Sequence, residues 1–312
     1  MHYSLYYRDE LNIEEQWDKW DLFISAFNLS ERLNAVYDKV NANKKYWLVF
    51  PEYDFEADEL PTEGSYISID KGTEAQQLLP VFKNINLSDY KSQSICIDAT
   101  GFMRAQLLFL LAFLKKSGFT HVDFIYSEPN HYSKKEHTTF SSGSIYETRQ
   151  VLGYQGVNQL IDKKDLLIIA AGYDSSLIAR VAQQNENAEI VPLLGFPSLK
   201  ADMFQENILR TVAAEESFTA NSLKDPIFAP ASDPFETAHS IYDYIHINKC
   251  LDKYNHIYIC PLSTKAQTLG IGLCYLNSFE GLPVSVLYPF TERYSKETSK
   301  GISKMWLYRF EF

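Results

Sequence analysis

The sequence predicts an α/β protein in which a mainly parallel sheet is covered by helices on both faces. Three observations predict it. Short unbroken apolar runs recur along the chain, at residues 46–50, 94–98, 121–126, 166–171, 189–194, 256–260 and 284–288. Several of these runs are separated by stretches of ten or more residues with helical spacing of apolar positions. The composition, 46% hydrophobic and 22% charged, supports a large core. Strands buried on both faces lose the alternation of a half-exposed strand, and parallel neighbours need long crossovers, usually helices.

In chain order, Ile13, Trp17, Trp20, Ile24 and Phe27 are spaced by fours and threes, which predicts an amphipathic helix over 13–27. A second helix is expected over 31–41 and a strand over 46–50, stopped by Pro51, before an acidic loop at 52–63. Strand 94–98, helix 101–116 ending at Gly118, and strand 121–126 come next. A polar stretch, 127–147, is too long for an ordinary connection. Strand 166–171, helix 175–184, strand 189–194 and helix 200–214 lead to a polar loop at 215–232. Asp233, Pro234 and Glu236 form a strong helix start: an acid at the N-cap, proline at the first position and glutamate at the third. That helix is expected to reach 253, followed by strand 256–260, helix 265–279 and strand 284–288. Trp306, Tyr308, Phe310 and Phe312 alternate in a last strand. The alternation of strands and helices is Rossmann-like, in one long sheet or two units. The best boundary, the 215–232 loop, gives an α/β unit at 1–232 (with an acidic helical segment at 1–63) and a strand–helix–strand unit at 233–312. No internal sequence repeat is visible.

The formal net charge is −11. Residues 1–63 hold 14 acidic against 6 basic side chains, and the rest of the chain 26 against 23. No basic face is available to displace counterions from duplex nucleic acid, so duplex binding is not expected. The acidic first segment could instead face solvent or a basic protein partner, while its apolar stripe is expected to pack on the chain's own sheet. Cys96, Cys250, Cys260 and Cys274 are widely spaced without a C-x-x-C pair, which points to reduced thiols and a cytoplasmic protein. The polar N-terminus does not resemble a targeting peptide. The most apolar run, 105–114, is half the roughly 20 residues that a bilayer requires, so no membrane association is expected.

Open parallel sheets bind ligands beyond the C-terminal ends of their strands, where helix N-termini present free N–H groups. Four such junctions share a composition. They carry Asp98, Thr100, Gly101 and Arg104; Gly172, Asp174, Ser175 and Ser176; Gly195, Ser198 and Lys200; and Ser263, Thr264, Lys265 and Gln267. Hydroxyls and N–H groups at these places bind phosphate oxygens or cap the helix in the same geometry. Taken together they predict a phosphorylated ligand, with Thr100, Gly101, Arg104, Asp174, Ser175, Ser263, Thr264 and Lys265 as its contacts.

Asp98 ends a buried strand and is the best-placed acid: a general base, a ribose clamp or a structural cap. Glu128 could share its edge, and residues 130–144 are long enough for a lid. Glu236, His239, Asp243 and His246 line one side of a helix, a pattern that fits a metal but is read here as a solvated face. No metal and no cofactor is evident. The chain lacks G-x-G-x-x-G after a strand, G-x-x-x-x-G-K-[ST], G-x-S-x-G and H-E-x-x-H, which removes the main support for dehydrogenase, P-loop, hydrolase and zincin readings.

The turn Ser263-Thr264-Lys265, set between a hydrophobic strand and a glycine-containing helix, resembles a turn of CARF-type proteins and their SAVED relatives. The likeness covers residues 256–290. It implies a Rossmann-like sensor of cyclic oligonucleotides in prokaryotic antiviral defence, SAVED proteins containing two such units. This chain shows no attached nuclease, protease or DNA-binding segment, so the resemblance implies a sensor subunit with a separate effector, or an enzyme degrading the messenger. Two other classes stay open: a nucleotide- or nucleoside-processing transferase or N-glycosidase using Asp98 and Glu128, and a structural subunit of a larger complex.

Overall fold

A computed structural model describes residues 3, 6–62, 64–132, 141–159, 162–172, 174–200, 203–205, 208–209, 225–296 and 299–312; side chains are described for these except at 132 and 141–144. The chain divides into two compact units, residues 6–144 with 291–312, and residues 1–5 with 145–290. The expected boundary at 232/233 falls inside the second of these.

In the first unit the strands are β1 (Arg8–Glu10), β2 (Lys19–Ala26), β3 (Asn41–Val49), β4 (Ser65–Ser68), β5 (Ile95–Asp98), β6 (His121–Tyr132) and, from the end of the chain, β13 (Ser299–Glu311). Its helices are α1 (Glu31–Lys39), α2 (Glu74–Asn84) and α3 (Arg104–Lys116). The sheet order is β4-β3-β2-β5-β6-β13-β1. The five strands from β4 to β6 are parallel, and β13 runs antiparallel to both β6 and β1. This sheet is therefore mixed rather than uniformly parallel.

The helix expected over 13–27 is replaced by β2, the middle strand of the parallel set. Trp20, Leu22, Phe23, Ile24 and Ala26 are all buried, so neighbouring residues face opposite sides of the sheet and both sides are covered. A segment this rich in apolar residues fits either period, and the Trp17–Trp20–Ile24–Phe27 spacing matches a helix by accident of composition. Ile13 lies outside the stripe and is more than a third exposed. The stripe packs in the core of its own unit: Phe23 and Phe27 join Leu33, Val36 and Tyr37 of α1, with Tyr37 stacked on Trp47 at 4.1 Å.

The second unit contains β7 (Ser141–Gln150, shared across the division), β8 (Leu166–Ala170), β9 (Glu189–Gly195), β10 (Ile227–Ala229), β11 (Ile257–Pro261) and β12 (Val284–Tyr294, likewise shared). Its helices are α4 (Ser175–Gln184), α5 (Pro234–Ile247), α6 (Cys250–Lys253) and α7 (Lys265–Cys274), the last continued by a π-helical turn, Tyr275–Phe279. The sheet order is β10-β9-β8-β11-β12-β7, with β10 to β12 parallel. Asp233 caps α5 as expected, its Oδ1 accepting from the amides of Phe235 (3.0 Å) and Glu236 (3.1 Å). That helix stops earlier than expected because Lys249 adopts a left-handed φ of 50°.

In each unit the first parallel strand in chain order stands at the centre. The second and third lie to one side of it, the fourth and fifth to the other. This order is repeated without any sequence repeat to announce it.

Other expectations also change. The 127–147 stretch is not simply a loop, since β6 continues to Tyr132 in register with β13 and β7 begins at Ser141. Its polar side chains concealed a strand that is held by backbone pairing. The loop at 215–232 contains β10, and α2 was not anticipated, although Thr73 and Gln76 form its capping box. Most of the helix expected over 200–214 lies outside the described residues, as does the 133–140 portion of the expected lid. No described helix is long and apolar enough to cross a membrane.

Candidate functional site

The first unit carries a buried polar layer just past the end of β5. Asp98 is fully buried, and β5 stops there because its carboxylate turns the chain: Oδ1 accepts from the amide of Thr100 at 2.9 Å. Oδ2 accepts from Ser25 Oγ on the neighbouring β2 at 3.2 Å. Thr100 in turn accepts from the Ser127 amide of β6 at 3.0 Å. Arg32, on α1, donates one terminal nitrogen to the Ser127 carbonyl and the other to Ser299 Oγ at 2.7 Å. Five elements are thereby stitched together by one hydroxyl-rich layer.

Burial pushes the Asp98 carboxyl up to about 6, against the lowering effect of its bonds to Thr100 and Ser25 and of the Arg32 charge. Asp98 does not cap the following helix. The residue at the N-cap of α3 is Met103, whose side chain makes no capping bond. Gly101 has a steric role: a Cβ there would overlap the Ala26 carbonyl oxygen and lie 2.9 Å from Leu33 Cδ1. Tyr53 Oη donates to the Gly101 carbonyl at 2.9 Å. Arg104 is buried in the first turn of α3.

Glu128 does not join Asp98. In the sheet Asp98 is in register with Ile125, and Glu128 follows three residues later, which places it on the opposite face. There Glu128 accepts from Trp306 Nε1 at 2.6 Å and Ser303 Oγ at 3.4 Å, and burial raises its pKa.

The corresponding edge of the second unit is made by the N-termini of α4 and α7. Asp174 caps α4, accepting from the Leu177 amide at 3.2 Å and from Ser176 Oγ at 2.6 Å; Ser175 is half-buried beside it. Thr264 caps α7, accepting from the Gln267 amide at 3.1 Å and donating to the Ala231 carbonyl at 2.5 Å. Ser263 is buried and Lys265 half-buried. The loop after β9 joins this network, because Pro197 O accepts from the Ala231 amide at 2.9 Å. Gly172 repeats the steric role of Gly101: its Cβ would overlap the Leu262 carbonyl oxygen, with Ser263 Cα at 3.2 Å.

The structure thus places Thr100, Gly101 and Asp98 at one edge, and Asp174, Ser175, Ser263, Thr264 and Lys265 at another. Ser25, Arg32, Ser127 and Ser299 escaped the sequence reading because they sit within ordinary strands and the first turn of a helix. The one usable signal was an arginine at the second position of α1, where a helix dipole disfavours a cation. On α5, His239 pairs with Asp243 at 3.3 Å on the surface, and the His246 ring lies 4.1 Å from that of Tyr242. No cluster of three or more metal-ligating side chains occurs among the described residues. Neither a scan of protein-family models nor a search of curated proteins gives a match to this chain.

Proposed function

We propose that this chain binds a phosphorylated, nucleotide-type ligand at the C-terminal ends of its parallel strands and serves as a Rossmann-like sensor subunit in prokaryotic antiviral defence. The observation that carries the reading is the strand order, the same in both units. It reverses at β2/β5 and again at β8/β11. Ligands of open α/β sheets bind at such reversals. Here each reversal is flanked by hydroxyls and helix N-termini, with Arg32 at one and Lys265 at the other. The CARF-like turn at 263–265 lies at the second reversal.

The enzyme alternative is weakened by the separation of Asp98 and Glu128 onto opposite faces, which leaves no carboxylate pair. A cytoplasmic location fits four cysteines that are all buried and unbridged. A basic protein partner for the acidic first segment remains part of this reading, as does an effector on a separate chain. No metal or cofactor is invoked.

Mass spectrometry of small molecules released from the purified protein, followed by calorimetry with a nucleotide panel, tests the proposal. Lys265→Ala is expected to weaken a phosphorylated ligand by about tenfold or more, the scale of one charge-assisted hydrogen bond. Absence of binding by every nucleotide tried, with the fold intact, would refute the reading. Turnover of a bound nucleotide would move the assignment to the enzyme class.

A further inference from the structure

We infer that the first unit holds a small oxyanion of the phosphate class at the N-terminus of α1, bound by Ser30 and Arg32. The inference names the residues that would take a phosphate in the reading above, and it rests on that reading only for the identity of the larger ligand.

The first observation is a hydroxyl without employment. Ser30 is the N-cap of the nine-residue α1, yet its side chain makes no capping bond. Its Oγ is buried, the residue being 3% exposed, and has no hydrogen-bond partner among the described residues. Serine is favoured at an N-cap because its oxygen satisfies a free helix amide, and here it does not do so.

The second observation is a buried cation with no direct ion pair among the described residues. Arg32 is 8% exposed, and its guanidinium donates only to neutral acceptors, the Ser127 carbonyl and Ser299 Oγ. Its Nε is buried and has no partner among the described residues. Asp98 acts on Arg32 through space, but no described carboxylate forms an ion pair with it. A buried, incompletely bonded charge is costly, and a bound anion relieves that cost.

Ser30 and Arg32 are both buried and stand two residues apart at the start of α1, with Glu31 between them exposed. An oxyanion there would accept from Nε–H and the serine hydroxyl, and would meet the positive end of the α1 dipole. The site lies just after β2, at the strand reversal of the first unit.

The test uses inorganic phosphate with the full chain, at constant ionic strength balanced with chloride, read by calorimetry and thermal shift. Wild-type protein is expected to bind one phosphate and to melt higher with it. Arg32→Lys keeps the charge but loses the fork and Nε, and should weaken phosphate by about tenfold or more. Ser30→Ala removes a hydroxyl that bonds to none of the described residues. It should leave the phosphate-free melting temperature unchanged and weaken phosphate by about threefold to tenfold. No phosphate response above chloride, or an unchanged phosphate Kd in both variants, overturns the inference. So does a Ser30→Ala protein that melts lower without phosphate yet binds it normally. Phosphate binding lost in the variants, with no nucleotide bound by the wild type, would support this site and refute the nucleotide reading. Nucleotide binding that ignores both substitutions, without a phosphate response, would do the reverse.

Discussion

Gly101→Ala tests the packing at the first strand reversal directly. The added methyl would overlap the carbonyl oxygen of Ala26 and stand 2.9 Å from Leu33 Cδ1. The obstacle is backbone of the central strand, which cannot swing aside as a long side chain could. Overpacking of this kind costs about 1–3 kcal/mol, and more where the backbone must shift. For a unit of this size, each kcal/mol lowers the melting temperature by about 2–4 °C, so a fall of roughly 2–12 °C is expected. Differential scanning calorimetry or circular dichroism melts would measure it. The same substitution at Gly172 meets the Leu262 carbonyl and should behave alike in the second unit. A variant of either glycine that melts with the wild type would refute the close approach. The control is Gly118→Ala, where a Cβ meets nothing within 4 Å but φ is +84°, so only conformational strain is added.

The Asp98 carboxyl titrates near 6 in the folded protein, above its ordinary value, so its contribution favours folding below about pH 4 and is lost as pH rises through 6. Asp98→Asn should flatten that fall, and its stability relative to wild type in urea titrations should improve by on the order of 1–3 kcal/mol between pH 4 and 7; a difference independent of pH would contradict the burial argument. Thr264→Ala removes the α7 cap and its bond to Ala231, and should cost about 0.5–2 kcal/mol by chemical denaturation. Deleting residues 1–28 removes β2 and should yield insoluble protein; a soluble, cooperatively melting truncation would show that the Trp17–Phe27 segment serves a partner instead.

The parts of the fold that were legible are those where local chemistry dictates one outcome. The Asp233-Pro234-Glu236 start of α5 was readable because a cap, a proline and an N3 acid act within four residues. The strands at 94–98, 166–171 and 256–260 were readable because burial on both faces leaves mostly apolar side chains. Residues 19–26 were misread for the same reason: a mostly apolar segment buried on both faces carries no clear period, and Trp17 and Trp20 stand at helical spacing. The extension of β6 through Ser127 and Glu128 was hidden because its partner, β13, lies some 170 residues away in sequence and stabilises it through backbone bonds. At the site, the capping groups Asp174 and Thr264 act within three residues of themselves and were found. Arg32 and Ser299 meet only through the folded sheet, so nothing local marked them.

The two units solve one geometric problem with different residues. Each must bring the loop after its first parallel strand against the loop after its fourth, because those strands are neighbours and their crossovers diverge. In the first unit the glycine follows the fourth strand, and Gly101 presses on Ala26. In the second the glycine follows the first strand, and Gly172 presses on Leu262. The contact is reciprocal in position and equal in closeness. A sequence comparison of the two halves would align neither glycine with the other, which is why the repeat is visible in strand order and not in the chain. The polar chemistry diverges in the same way. Asp98 and Arg32 are buried within the first unit's layer, whereas Thr264 and Lys265 stand half-exposed at the second. Equal topology therefore does not imply equal ligands: an enclosed edge suits a small anion, and an open one has room for a larger phosphorylated molecule.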